Sequence, residues 1–439
     1  MSIHPIRRIE GLRRSIADSP KRCIAYYTLV QAAYTCLAGS FELPMAIRLA
    51  GGPEYVAFVY AFYYTTLVGG FCIGSFLGKG GRASLVFRLE LGLLAALNFA
   101  AVAFFPLISG VPALIVYFIA RGSAEGFYWS IRHPAFLWSV KDSGRDDFSL
   151  HLQSASVIVS VVLPLASGAI VSFLDPSALK ANPLLPPGYL WIFLITASVL
   201  SLALLASPRF EIGRRPISLK RIRSLGSLPE SRSYRAYLAV TASSGVAVTL
   251  SAGVITFGVL KTEFRIGALN ASIAFLSGIF FLLLRRALAG RKGARLGGVL
   301  SGAVADCLSR LLYSLAPGPI GLGLKTVLDS FAVPLKTLFG ENVIRAHVER
   351  LSSLTGASVS ELYIFQEYRL WLGRIASCAV VGAVFALAGA GRLPSGGPAV
   401  RIVLACAAPF AVAEFFLYRS FIREDKSVLP RLLGFESGR

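Results

Sequence analysis

ALIVYFIARGSAEGFYWSIR, residues 113–132, is apolar enough to lie in a lipid bilayer, yet it carries Arg121 and Glu125 one helical turn apart. A charge at the bilayer centre costs roughly 2.5–3.5 kcal/mol on insertion scales, so such residues face a bundle interior or a wet cavity rather than lipid. At i and i+4 the two side chains share a helix face and can pair. Tyr128 and Trp129 follow within the next turn. The stretch therefore reads as one wall of a polar cavity inside a membrane protein.

The composition agrees. Of 439 residues, 55% are hydrophobic and 15% charged, with a mean hydropathy of +0.66. Soluble domains carry about 25% charged residues. Repeated apolar runs of about 20 residues then read as transmembrane helices. The first 22 residues are polar and basic, without the short apolar core of a cleavable signal peptide. A net charge of +21 would suggest nucleic acid on a soluble protein. On this chain it is explained by basic loops held at the cytoplasmic face against anionic headgroups, and no nucleic-acid partner is expected. The six cysteines lie in or beside apolar runs with no CxxC pair, and the four histidines are far apart in sequence. They give neither a disulfide framework nor a metal site.

Twelve spans are predicted, at about 23–48, 54–78, 84–107, 111–131, 152–174, 188–207, 236–260, 267–286, 296–315, 318–338, 366–390 and 399–420. A polar stretch from Lys336 to Gln366 is expected to hold a short surface helix. If the N-terminus is cytoplasmic, the even-numbered loops should be rich in Lys and Arg. They are, from Lys79 and Arg82 through Lys141 and Arg145, the central Arg209–Arg235 run, Arg285–Arg295 and Arg345–Arg350, while the opposite loops hold few. The expected organisation is a basic tail (1–22), a six-helix bundle (23–207), a cytoplasmic linker (208–235), a second six-helix bundle (236–422) and a cytoplasmic tail (423–439). The turn after span two, GSFLGKGGR from Gly74, has a basic, glycine-containing counterpart after span eight, LAGRKGAR from Leu288. A duplicated six-helix unit is how many secondary transporters are built.

In this organisation the chain resembles the major facilitator superfamily over nearly its whole length. Gly74, Lys79, Gly81 and Arg82 match the family's signature turn G-x-L-a-D-r-x-G-R, with Gly78 in place of the acidic residue. Arg121 with Gly126 loosely resembles the arginine-and-glycine motif of span four, and Leu163–Gly168 is a weak echo of the antiporter pattern of span five. The resemblance implies that spans one, four, seven and ten line a central cavity. It assigns Gly74, Lys79, Gly81 and Arg82 to conformational gating.

The charges fit that assignment. Span ten holds Lys325 and Asp329 at i, i+4, as span four holds Arg121 and Glu125. The bland alternative is a pair of self-neutralising locks between helices. Glu42, just before Leu43-Pro44 in span one, is a candidate proton carrier beside Glu125 and Asp329, because burial disfavours a charged carboxylate. Gln31, Tyr34, Ser244 and Thr249 are candidate hydrogen-bonding groups of the cavity, and the hydroxyls are equally suited to bond their own helix. Asp306 with Arg310, and Glu367 with Arg374, are assigned to packing or gating; Arg88 and Glu90 to a salt-bridge network at the inner face. Gly70, Gly74 and Gly78 have the spacing that lets helix backbones approach closely.

The expected function is secondary active transport, without a cofactor, of a small polar, anionic or amphipathic solute across the cell membrane. Arg121 and Lys325 would attract the solute, a carboxylate would exchange protons, and the protein would work as a monomer with both ends cytoplasmic. Gly78-Lys79-Gly80 lacks the Ser or Thr of a phosphate loop, so ATP-driven transport is not expected. A receptor or scaffold of the same fold is the alternative. A membrane enzyme would need a clustered carboxylate or histidine site, and the sequence offers none.

Overall fold

The structure, a computed structural model, describes residues 20–37, 39–78, 82–108, 110–139, 145–174, 185–207, 217–228, 231–288, 294–390 and 397–424. The described residues form helices and no strands. In chain order these are α1 (Pro20–Cys36), α2 (Glu42–Ala50), α3 (Pro53–Leu77), α4 (Ala83–Phe104), α5 (Gly110–Ser139), α6 (Arg145–Leu174) and α7 (Pro187–Ala206). A short α8 (Leu219–Leu225) precedes α9 (Arg232–Leu260), α10 (Glu263–Leu288), α11 (Ala294–Leu315), α12 (Pro319–Thr355), α13 (Val359–Gly389) and α14 (Gly397–Glu424).

With α1 and α2 taken as one interrupted span and α8 set aside, the order matches the twelve predicted spans. Among the described residues, eight of these helices are long and apolar enough to cross a membrane. α5, α11 and α12 are not among the eight, and they carry Arg121, Glu125, Asp306, Arg310, Lys325 and Asp329 in their interiors.

The first span is broken just before Leu43-Pro44. The amides of Phe41 and Glu42 both turn back to the Leu37 carbonyl, at 2.7 and 2.9 Å, and α2 restarts at Glu42. Pro44 sits in the first turn of α2, where its missing N–H would have had no helical partner. The break lies before the proline and leaves Glu42 buried, 4% exposed, rather than at a wet surface.

Packing repeats across the two sets of helices. α3 packs on α5, α4 on α5 and α7, and α1 on α6 and α7; correspondingly α10 packs on α12, α11 on α12 and α14, and α9 on α13 and α14. The sets meet mainly along two antiparallel pairs, α3 with α13 and α6 with α10, which the same correspondence exchanges. Glycines set the closest approach within the first set. Gly70 and Gly74 of α3 lie against the backbone at Ser123 and Phe127 of α5, and Gly122 and Gly126 of α5 against that at Tyr63 and Leu67 of α3. The small-residue spacing noted in the sequence is thus a crossing of α3 and α5.

One expectation is corrected. The stretch after Lys336 is no separate surface helix: α12 runs on through it to Thr355, 37 residues in all, because His347, Val348 and Leu351 give the extension a buried face. The stretch between the two sets also holds a short helix. Ser218 caps α8, whose Arg221 pairs with the fully buried Glu361 at 3.1 Å.

At the end of the bundle remote from α8, a latch ties the sets together. The Arg48 guanidinium grips Glu263 with Nε–Oε1 at 2.7 Å and Nη2–Oε2 at 3.0 Å, and Tyr189 donates to the same carboxylate at 3.1 Å. Glu263 is 1% exposed, and removing one member of a buried pair costs about 3–5 kcal/mol. Beside the latch the Leu43 side chain fills the space that Gly253 of α9 leaves open. Glu263→Gln is expected to speed labelling of a cysteine placed at position 43 (Leu43→Cys) by a water-soluble maleimide. Unchanged labelling would mean the latch does not hold this end shut.

Candidate functional site

α5 projects Arg121 and Glu125 inward, and the broken first span supplies the third charge. Arg121 is 6% exposed and forms ion pairs with Glu42 of α2 and with Glu125, the latter at 3.2 Å. Glu125 also accepts from the Tyr63 hydroxyl at 2.6 Å and from the Trp129 indole at 3.3 Å, and the Arg121 guanidinium lies 5.6 Å from the Tyr63 ring centre. One guanidinium thus faces two carboxylates, and every contact is buried or half-buried.

This cluster borders a cavity of about 230 Å³. α1 contributes Gln31 and Tyr34, and α5 contributes Tyr117, Arg121, Glu125, Tyr128, Trp129 and Arg132. The far wall is Glu90, Leu94 and Asn98 of α4 with Thr196 and Leu200 of α7. Tyr34 leaves 45% of its surface accessible. Arg132 lies against aromatic rings, 4.6 Å from the Trp129 centre and 5.8 Å from that of Tyr128.

Six residues singled out in the sequence therefore meet in one place: Gln31, Tyr34, Arg121, Glu125, Tyr128 and Trp129. Glu42 joins them through Arg121. The second set of helices contributes nothing to the lining of this cavity. Lys325 is paired to Asp329, which also accepts from Ser309 of α11. Ser244 is occupied by Arg310, and Thr249 is exposed on α9. Arg310 also grips Asp306 through two bonds of 2.7 Å and donates to the Ala407 carbonyl, while Lys336 bridges Asp306 to Glu414. That network joins α9, α11, α12 and α14, so the charged face of α11 points into the second set. Glu367 pairs with Arg374 at 3.1 Å, and Arg374 lies over Tyr64 of α3. In the signature turn Gly74 packs on α5 and Arg82 is exposed; Lys79 and Gly81 lie outside the described residues.

Glu90 was misplaced by its position in the sequence. It was assigned to an inner salt-bridge network with Arg88, but it is fully buried and faces the cavity, without a hydrogen-bond partner for either oxygen. Asn98 and Thr196 were missed altogether. The available signal was a polar residue at i and i+8 of an apolar helix, Glu90 and Asn98. Among the described residues, no group of three His, Cys, Asp or Glu side chains is arranged to hold a metal ion.

No family model matches the sequence, and no curated protein matches it significantly. Solved structures do. The nucleoside transporter NupG superposes with a TM-score of 0.62 at 12% identity, covering 92% of this chain and 99% of its own. A bacterial homologue of the human drug peptide transporters gives 0.62 at 13% identity over 94% and 100%. A bacterial homologue of the human lysosomal transporter Spinster, in its inward-facing and unoccupied conformation, gives 0.56 at 15% over 94% and 98%. The chain has the major facilitator fold. Coverage is nearly complete in both directions, so the likeness extends over the whole helical array and is not confined to one bundle.

Proposed function

We propose that the protein is a secondary active transporter that carries a small polar or amphipathic solute across the cell membrane by alternating access. The observation that carries this reading is the cavity at Arg121, a space of about 230 Å³ with charged groups in its wall, in a bundle whose two sets of helices touch mainly along α3–α13 and α6–α10. Residues 23–207 and 236–422 would be the two rocking bodies, with the Arg121 cavity in the wall of the first. An anionic solute is disfavoured, because Arg121 already faces two carboxylates. Glu42 and Glu125 share that one cation, which makes them the candidates for exchanging a proton during the cycle. The transporter neighbours support the reading through shared fold.

The test is a reconstitution. Protein in sealed liposomes on a sensor membrane is challenged with nucleosides, dipeptides and organic amines under an imposed pH gradient. At least one class should give a transient current that follows the gradient. The receptor or scaffold reading draws on the internally saturated Lys325–Asp329 pair and Asp306–Arg310–Lys336–Glu414 network. It is favoured if no class moves while one of them binds.

A further inference from the structure

The far wall of the cavity is made of hydrogen-bond acceptors without partners. Both Glu90 oxygens, Asn98 Oδ1 and Thr196 Oγ1 are buried with no hydrogen-bond partner, and all three residues line the cavity. Exposure is 0% for Glu90 and 4% for each of the others. The Asn98 amide nitrogen donates to the Leu94 carbonyl at 2.7 Å, and its oxygen has no partner. Glu90, Leu94 and Asn98 recur every fourth residue, so they form one stripe of α4 about 12 Å long at 1.5 Å per residue. Thr196 faces the same space from α7, which packs on α4.

Charge points the same way. Around the cavity three carboxylates, Glu42, Glu90 and Glu125, face two guanidinium groups, Arg121 and Arg132. Arg121 is shared by Glu42 and Glu125, and Arg132 lies against the rings of Tyr27, Tyr128 and Trp129. Glu90 is left as the carboxyl group of the three with no hydrogen-bond partner. An ionised carboxylate buried without a partner is strongly unfavourable, so its place in a cavity wall calls for a cation or a donor from a ligand. Aromatic faces suit the apolar body of a cation as well as its charge.

We infer that this wall is the binding subsite for an organic amine, whose ammonium group sits on Glu90 and whose aromatic or apolar body lies along Tyr34, Tyr117 and Tyr128. Asn98 and Thr196 take a second donor further along the α4 stripe. This deepens the transport reading by naming the class of solute, but it concerns equilibrium binding and is tested without flux.

The experiment compares three probes of one skeleton, phenethylamine, 2-phenylethanol and phenylacetate, by calorimetric titration of the purified full chain. Phenethylamine binds and phenylacetate does not; 2-phenylethanol binds more weakly than the amine. Glu90→Gln keeps the side-chain shape and removes the charge, so it lowers amine affinity roughly ten- to hundredfold, the usual worth of a bond to a charged group, and leaves the alcohol unaffected. Circular dichroism and gel-filtration profiles confirm that the variant is folded. Should that variant misfold, Asn98→Ala and Thr196→Ala supply the check with tyramine, whose phenol is the second donor: each weakens tyramine and leaves phenethylamine unchanged, and tyramine binding undiminished in both overturns the subsite. Equal binding of amine and alcohol, amine binding undiminished in Glu90→Gln, or no amine binding to the parent protein overturns the subsite. If amine binding fails while liposome currents persist for another solute, the subsite is wrong and the transporter reading stands; binding without any current has the opposite meaning.

Discussion

Arg121→Ala is expected to destabilise the folded protein by about 3–5 kcal/mol, the cost of leaving buried charge without its partner. The variant would set Glu42, 4% exposed, and Glu125, 8% exposed, near each other with no cation between them. The thermal melting midpoint in detergent should fall accordingly, and transport should be lost with it. Because stability and transport fail together in that variant, the informative partner is Arg121→Ala combined with Glu42→Gln. Removing one negative charge should restore most of the stability, and the deviation from additivity measures the coupling directly. Independent, additive effects would mean that Arg121 and Glu42 are not paired.

The second large effect is steric. At Gly126 of α5 an added Cβ would overlap the Leu67 carbonyl oxygen and crowd the Phe71 amide of α3. All of these nearest atoms are α3 backbone, so none can swing away as a side chain would. Gly126→Val should therefore sit at or beyond the upper end of the roughly 1–3 kcal/mol that overpacking costs, visible as a lower melting midpoint and poor recovery from membranes. Gly245 of α9 is the matched control. Nothing lies within 4 Å of its Cβ position, so Gly245→Ala should hold or raise the midpoint, since alanine favours a helix over glycine. A similar loss in both variants would mean that the close α3–α5 approach is not what Gly126 serves.

Local pattern was legible in the sequence and long-range partnership was not. The Arg121–Glu125 and Lys325–Asp329 pairs could be read because i, i+4 spacing fixes which side chains share a helix face. The order of the helices followed from hydropathy and alternating loop charge. Glu42 was recognised as a buried carboxylate, but its pairing with Arg121 depends on the Phe41 and Glu42 amides turning back to Leu37, which brings two distant helices together. Glu90 misled because a charge near a helix start ordinarily touches water, whereas the packing of α4 on α7 and α5 encloses it. The long α12 was hidden for a related reason. Its extension is polar overall and shows its buried stripe, His347, Val348 and Leu351, only once its neighbours are in place. The cavity at Arg121 is lined, among the described residues, by α1, α4, α5 and α7, and that set follows from packing that no local pattern shows. Pseudo-symmetry of packing did not carry over to chemistry, because Lys325 and Asp329 neutralise one another and add only Ser309.

The central claim is that the two bundles rock against each other, so that the end carrying the latch and the opposite end open in turn. It is tested most directly by electron–electron double resonance distances from two pairs of spin labels in a chain cleared of its native cysteines. Leu107 and Ile320, 82% and 80% exposed, report on the end that carries the Arg48–Glu263 latch; Leu85 and Leu354, 64% and 59% exposed, report on the opposite end. Between acid and alkaline pH, and on addition of a transported solute, the account predicts that one distance lengthens while the other shortens. Distances that stay fixed, or that lengthen together, would contradict it.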